Sequence, residues 1–341
     1  MLAARERQRL AVSVLSRQLD FDSLADFLVQ QELAQYFCAH IESLELSKVF
    51  PASFRQKLQW QCEAQVQQRE ALTAALTVLH REFTSAGLEF LLLKGLHLAE
   101  QYWGSVENRF TWDLDMMIEP QHLDEAVHVL QQTGYRSTHA SALQPRFVRR
   151  FSHAMEFKQA SIAVDLHWVF RPRPGHLVDY PAIWRRRDSW DYHGHRYSVL
   201  AAEDALLMLL LGIAEDVERA EPNYRKLWDI YLMLRSNAVA DWNGFFERTQ
   251  QQGVGRLVVA LLAFTCHALA CADEFPELQQ ALARWSKGLY CSAAELDLVL
   301  ARPAKHPANR LWIARLQPVS TAYYLAWWTV TAPMRYLVWR L

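Results

Sequence analysis

Two aspartates one residue apart, Asp113 and Asp115, lie in the run Trp112-Asp113-Leu114-Asp115-Met116-Met117-Ile118, which otherwise reads as a buried strand. Along a strand, side chains at i and i+2 point to the same face, with Cα atoms roughly 6.7 Å apart. Asp113 and Asp115 are therefore expected to project together, while Trp112, Leu114, Met116 and Ile118 project the other way into a core. Adjacent carboxylates repel each other unless something positive lies between them. Oxygen ligands of this kind suit Mg²⁺, which takes one or two carboxylates together with the phosphates of its substrate. The chemistry implied is phosphoryl or nucleotidyl transfer assisted by a divalent metal.

The elements that must position this pair follow from periodicity. Residues 1–84 read as helical, with apolar positions at helical spacing such as Leu24, Phe27 and Leu28, then Leu72, Ala75, Leu76 and Leu79. Pro51 breaks the pattern, and Ser53 is a cap after it. Beyond Gly87 the pattern changes. Glu89 to Leu93 is a short apolar run ending at Lys94-Gly95, consistent with a central strand. Leu96 to Trp103 predicts a helix closed by Gly104, and the aspartate strand follows from about Thr111 to Ile118. Pro120 and Gly134 bracket an amphipathic helix with the stripe Leu123, Ala126, Val127 and Leu130.

Strands are predicted again over His153–Lys158 and Ser161–Phe170. The second alternates: Ile162, Val164, Leu166, Trp168 and Phe170 share one face, and Ala163, Asp165, His167 and Val169 share the other. A short strand over Arg196–Leu200 precedes helical patterns that run from about residue 202 to the end, broken near Pro222, Gly253-Val254-Gly255, Pro276 and Pro303. The expected architecture is α+β: a helical region over 1–84, a small mixed core over 85–200 and a second helical region over 201–341.

Composition narrows the function classes. The 341 residues are 51% hydrophobic, enough for a large core, and the 36 basic residues balance 37 acidic ones. Nothing in that balance marks bulk nucleic acid as a ligand, and Trp184-Arg185-Arg186-Arg187 reads as a solvated turn. Five cysteines without a CxxC pair argue against a zinc ribbon or a disulfide scaffold and point to a reducing, cytoplasmic setting. Arg5, Glu6, Arg7 and Arg9 precede any apolar run, unlike a signal peptide. Leu316 to Met334 carries no charge, which approaches a membrane span in length. Gln317, Pro318, Ser320, Thr321, Thr329, Thr331 and Pro333 dilute it, so a buried or interface helix is the expectation, one that leaves room for a homo-oligomer. No GxxxxGK[ST], GxGxxG, GxSxG or HExxH motif is present.

The order of parts resembles the nucleotidyltransferase fold shared by DNA polymerase β and the minimal nucleotidyltransferases. Within that superfamily the chain resembles an uncharacterised bacterial group of nucleotidyltransferase family proteins. The resemblance rests on Leu91-Leu92-Leu93-Lys94-Gly95, Arg109-Phe110-Thr111-Trp112-Asp113-Leu114-Asp115, Gly134-Tyr135 and Val164-Asp165-Leu166-His167-Trp168. A weaker match is Tyr224-Arg225-Lys226-Leu227-Trp228-Asp229-Ile230. It implies a two-metal, in-line transfer of a nucleoside monophosphate from a nucleoside triphosphate, or another activated nucleotide, to a hydroxyl or phosphate acceptor. Asp113, Asp115 and Asp165 would hold two Mg²⁺ ions, with Mn²⁺ as a substitute. Lys94-Gly95 departs from the Gly-Ser of many superfamily members, yet Gly95 at a helix start and Lys94 as a point charge can still bind phosphates. Arg109 would reach a phosphate, and His167 would orient the acceptor or the metal shell.

Other readings stand beside these. Asp165 can be a salt-bridge partner, Lys94 an exposed strand-end charge, Arg109 a surface residue and His167 a core histidine. His97 and His153 read as structural, and Asp229 as a residue that fixes helix packing. At the level of function, the same metal site serves a nucleotide-sugar donor, or the domain binds nucleotide without turnover and regulates a partner. The acceptor class stays open between a small molecule, a peptide and a protein.

Overall fold

The computed structural model describes residues 19–138, 152–170, 173–289 and 291–340, with side chains described as far as residue 331. Its first elements are helical: α1 (Phe21–Gln30), α2 (Ala34–Ser43) and the 34-residue α3 (Ala52–Ser85). Pro51 precedes α3 as its cap, since a proline can start a helix but not continue one. The buried face of α3 is a single stripe at spacings of three and four: Phe54, Leu58, Gln61, Gln65, Gln68, Leu72, Leu76, Leu79 and Phe83. Phe54 and Leu58 pack into one small core with α1 and α2, and Leu72 to Phe83 pack into the sheet's own core.

Among the described residues the sheet has seven strands: β1 (Leu91–Leu92), β2 (Asp113–Met117), β3 (Arg136–Ser137), β4 (Ala154–Gln159), β5 (Ile162–His167), β6 (Asp188–Tyr192) and β7 (His195–Val199). Their order is β3-β4-β5-β2-β1-β7-β6. The β2–β5 and β1–β7 pairs are parallel and the rest antiparallel, so the fold is α+β around a mixed sheet. Period-two alternation divides the strands between two cores. Leu92, Leu114, Met116, Val164 and Leu166 face α3 and α5 (Leu123–Gln132). Leu91, Leu93 and Met117 face the helices of the C-terminal half.

That half begins with α6 (Tyr180–Arg186), then α7 (Ala202–Glu218) and α8 (Tyr224–Arg235). It continues with α9 (Trp242–Gln251), α10 (Gly255–Ala268), α11 (Pro276–Trp285), α12 (Ala293–Ala301), α13 (Pro307–Arg315) and α14 (Thr321–Arg340). The short helix α4 (Leu96–Trp103) joins β1 to the segment before β2. Among the described residues no helix is long and apolar enough to cross a membrane. In α14, Tyr324 is fully buried and its hydroxyl meets Arg173 and Glu218, while Tyr323 and Val330 are exposed.

The differences from expectation have local causes. Trp112 is 52% exposed rather than buried, because the β2 ladder opens one residue later and its ring leans on Phe110 instead. Trp184 to Arg186 close α6 rather than forming a solvated turn. Asp179 caps that helix, Trp184 is buried, Arg186 pairs with Asp204, and Arg187 pairs with Glu89. Strand β6, unread in the sequence, forms a hairpin with β7 through His193-Gly194, both at positive φ.

Candidate active site

β1 runs into Lys94-Gly95, and Gly95 caps α4 at φ 94°, ψ −127°. That conformation belongs to glycine. A Cβ there would lie 3.3 Å from Thr111 Cγ2, so the turn packs closely against the segment entering β2. Beside it the parallel register sets Asp113 opposite Ala163 and Asp115 directly opposite Asp165. Two carboxylates separated by fifty residues thus become cross-strand neighbours on one face. One ligand atom each from Asp115, Asp165 and His167 lie within 4.8 Å of one another.

Charge balance in this cluster is local. Lys94 Nζ is 2.8 Å from Asp115 Oδ2 and 4.0 Å from Asp113 Oδ2, and His167 Nε2 is 3.3 Å from Asp115 Oδ1. Burial opposes ionisation of Asp115, which is 1% exposed, but Lys94 and His167 hold its carboxyl below the ordinary range. Burial also works against the Lys94 ammonium, and Asp115 with Asp113 raise it above its usual value. The other two acids behave oppositely. Burial, then the charge of Asp115, pushes Asp113 up. Burial, Asp115 and Asp113 push Asp165 up to about 7. Lys94, with Arg225 and Arg109 farther off, offsets only part of the mutual repulsion of the acids, which leaves Asp113 and Asp165 raised.

Asp115, Asp165, His167 and Lys94 thus come together, with Gly95 in the adjoining turn, while Asp113 stands 4.0 Å from Lys94 and outside the group of three donor atoms. Arg109 is placed differently. It is 3% exposed, and it lines the cavity over the acids while paired with Asp229. Its Nε and Nη2 donate to Asp229 Oδ1 and Oδ2 at 2.7 and 2.8 Å, and Nη1 donates to Phe110 O and Thr111 Oγ1. Asp229, on α8, also accepts from Trp103 Nε1 at 2.8 Å. Burial opposes its ionisation, and Arg109 holds it below the usual carboxylate range. This bidentate pair fastens α8 and α4 to the segment leading into Asp113. Asp229 fixes packing, as its helix setting suggests, with a partner that no local pattern reveals. His97 is buried, and burial followed by the Arg109 charge lowers its pKa to about 3, which makes it a neutral core histidine.

A cavity of about 150 Å³ opens over the acids. Lys94, Asp115, Asp165 and His167 form its floor, and Met208, Leu209 and Gly212 of α7 with Arg225 and Lys226 of α8 form its far wall. Three charged lining residues, Glu156, Arg225 and Lys226, went unassigned in the sequence reading. Glu156 sits directly opposite Asp165 in the antiparallel β4–β5 ladder, which puts a further carboxylate on the same face. Arg225 lies 2.6 Å from Glu32, and Lys226 lies 2.8 Å from Asp216. Arg225 and Lys226 belong to the weakly matched stretch Tyr224–Ile230, the one signal in the sequence that pointed to them. Glu156 carried no signal, since its position depends on a cross-strand register.

The sequence model of a family described as an uncharacterised nucleotidyltransferase matches residues 17–270, most of the chain. Among solved structures, the crystal structure of an antigenic nucleotidyltransferase-like protein from Paracoccidioides brasiliensis is 15% identical with a TM-score of 0.37. That likeness covers 62% of this chain and 92% of the other. No curated protein matches the chain.

Proposed function

The chain belongs to the uncharacterised nucleotidyltransferase family, and on that premise we propose that it moves a nucleoside monophosphate from a nucleoside triphosphate to a hydroxyl or phosphate acceptor, using divalent cations at Asp113, Asp115 and Asp165. The observation that carries this reading is the pairing of Asp115 with Asp165 beside the Lys94 ammonium. The lysine already stands where a cation balances the carboxylates, and the donor atoms of Asp115, Asp165 and His167 are close enough to share one ion. The carboxylate oxygens suit Mg²⁺, and the imidazole nitrogen admits Mn²⁺. When bound, two such ions supply Lewis acidity at the reacting phosphate and lower the pKa of the acceptor hydroxyl.

The remaining chemistry is assigned to the chain's own groups. The acceptor oxygen attacks the α-phosphorus, the bond to the β-phosphate oxygen breaks, and pyrophosphate leaves. Asp165, directly across from Asp115, is the carboxylate assigned to take the acceptor's proton as its oxygen attacks. Lys94, the start of α4 at Gly95, and Arg225 are the groups that meet the phosphates, Arg225 exchanging Glu32 for them. Arg109 acts through Asp229 to hold the cavity's wall in place. Leu93, Phe170, Met208 and Leu209 limit water around the reacting oxygens.

The test is incubation with each nucleoside triphosphate, Mg²⁺ and cell extract, followed by mass analysis of the products. A metal-dependent addition of one nucleoside monophosphate, lost in Asp115→Asn at unchanged fold, is the expected result. Addition of a hexose from a nucleotide-sugar would reassign the donor. No addition with any donor, and no Mg²⁺-dependent thermal shift by any nucleotide, would refute the proposal.

A further inference from the structure

The core stripe of α3 is interrupted in its middle: Gln61, Gln65 and Gln68 replace the apolar residues that flank them on both sides. All three are buried, at 8%, 4% and 8% exposure. A buried amide is costly unless its hydrogen bonds are made, so residues of this kind in a core stripe call for partners. Gln61 finds Val29 O. The other two reach the segments that lead into β2 and β5. Gln65 Oε1 accepts from the Thr111 N–H at 3.3 Å. Gln68 Nε2 donates to Trp112 O at 3.0 Å and to Ser161 O at 3.4 Å.

Trp112 is the residue immediately before β2, and Ser161 the residue immediately before β5. One amide therefore grips the entries of the two strands that carry Asp113, Asp115 and Asp165. The stagger between those strands decides the site. A slip of one residue would set Val164 or Leu166 opposite Asp115 and turn Asp165 to the other face. We propose that Gln68, assisted by Gln65, is a positioning residue that holds β2 and β5 at the stagger which brings Asp115 opposite Asp165. The consequence for metal affinity rests on the function proposed above. The strand clamp itself does not.

The probe is Gln68→Met in the full chain, which keeps side-chain length and completes the apolar stripe while removing the donor. Three quantities are compared with wild type: the thermal midpoint, amide hydrogen exchange by peptide, and Mn²⁺ affinity by titration. The expected result is a midpoint within a few degrees of wild type, faster exchange confined to peptides over 110–118 and 160–168, and Mn²⁺ binding weakened about tenfold or more. Unchanged exchange in those two peptides, or a rise spread evenly over the protein, would overturn the clamp. A confined rise in exchange with unchanged Mn²⁺ affinity would overturn the positioning role. If wild type binds no Mn²⁺, the proposed function falls and the exchange data alone decide the clamp. Should Gln68→Met fail to fold, Gln65→Met, which removes only the acceptor for the Thr111 amide, carries the same comparison.

Discussion

Asp165→Asn should make the metal-free protein more stable at pH 8. Burial, Asp115 and Asp113 push the folded-state pKa of Asp165 up to about 7, against an ordinary value of 3.8. The folded state thus holds this proton more tightly than the unfolded chain does. Between the two values the unfolded state ionises freely, while the folded state must either keep its proton or ionise against its neighbours. Stability is therefore lost as pH rises from about 4 to about 7, and the loss levels off above that. A shift of roughly three pH units corresponds to about 4 kcal/mol at about 1.4 kcal/mol per unit. Asp165 is only partly buried, and solvent screening reduces the effect to about 2–3 kcal/mol. Asparagine keeps the shape and removes the charge. In a chain of this size the gain is a rise in melting midpoint of roughly 3–6 °C in EDTA at pH 8. It should shrink steadily as the buffer is taken toward pH 4. Thermal melts of both proteins from pH 4.5 to 8.5 provide the test. A variant less stable than wild type at pH 8, or a difference that ignores pH, would refute the electrostatic reasoning.

Other substitutions probe the frame around the acids. Arg109→Ala leaves Asp229 buried without its partner and should cost about 3–5 kcal/mol in urea unfolding. The double variant Arg109→Met with Asp229→Leu should recover most of that loss, because no charge is then stranded. Gly95→Ala forces a Cβ into a glycine conformation and toward Thr111, so it should destabilise by about 1–3 kcal/mol, read by the same unfolding curve. Because the strained turn opens α4, that variant should also bind nucleoside triphosphate more weakly by calorimetry.

Local order was legible in the chain itself. Leu96–Trp103 was readable as a helix between two glycines, and the alternation around Asp165 separated its polar face from its core face. Those signals are local, because a helix or strand reports its own period wherever it ends up. Asp113 and Asp115 share a face for the same reason.

Which element each face would meet was decided only by the tertiary structure. The β2–β5 register sets Asp115 against Asp165, and the β4–β5 register adds Glu156; an isolated strand contains no information on its partner's stagger. Arg109 pairs with Asp229 across 120 residues, a buried fastening that no local pattern announces. The stripe of α3 betrayed its helix through its leucines, but its glutamines acquired meaning only when Thr111, Trp112 and Ser161 were brought against them. Periodicity along one segment says which side is inward. Hydrogen-bond partners and charge neighbours depend on distances between segments, and those exist only once the chain has packed.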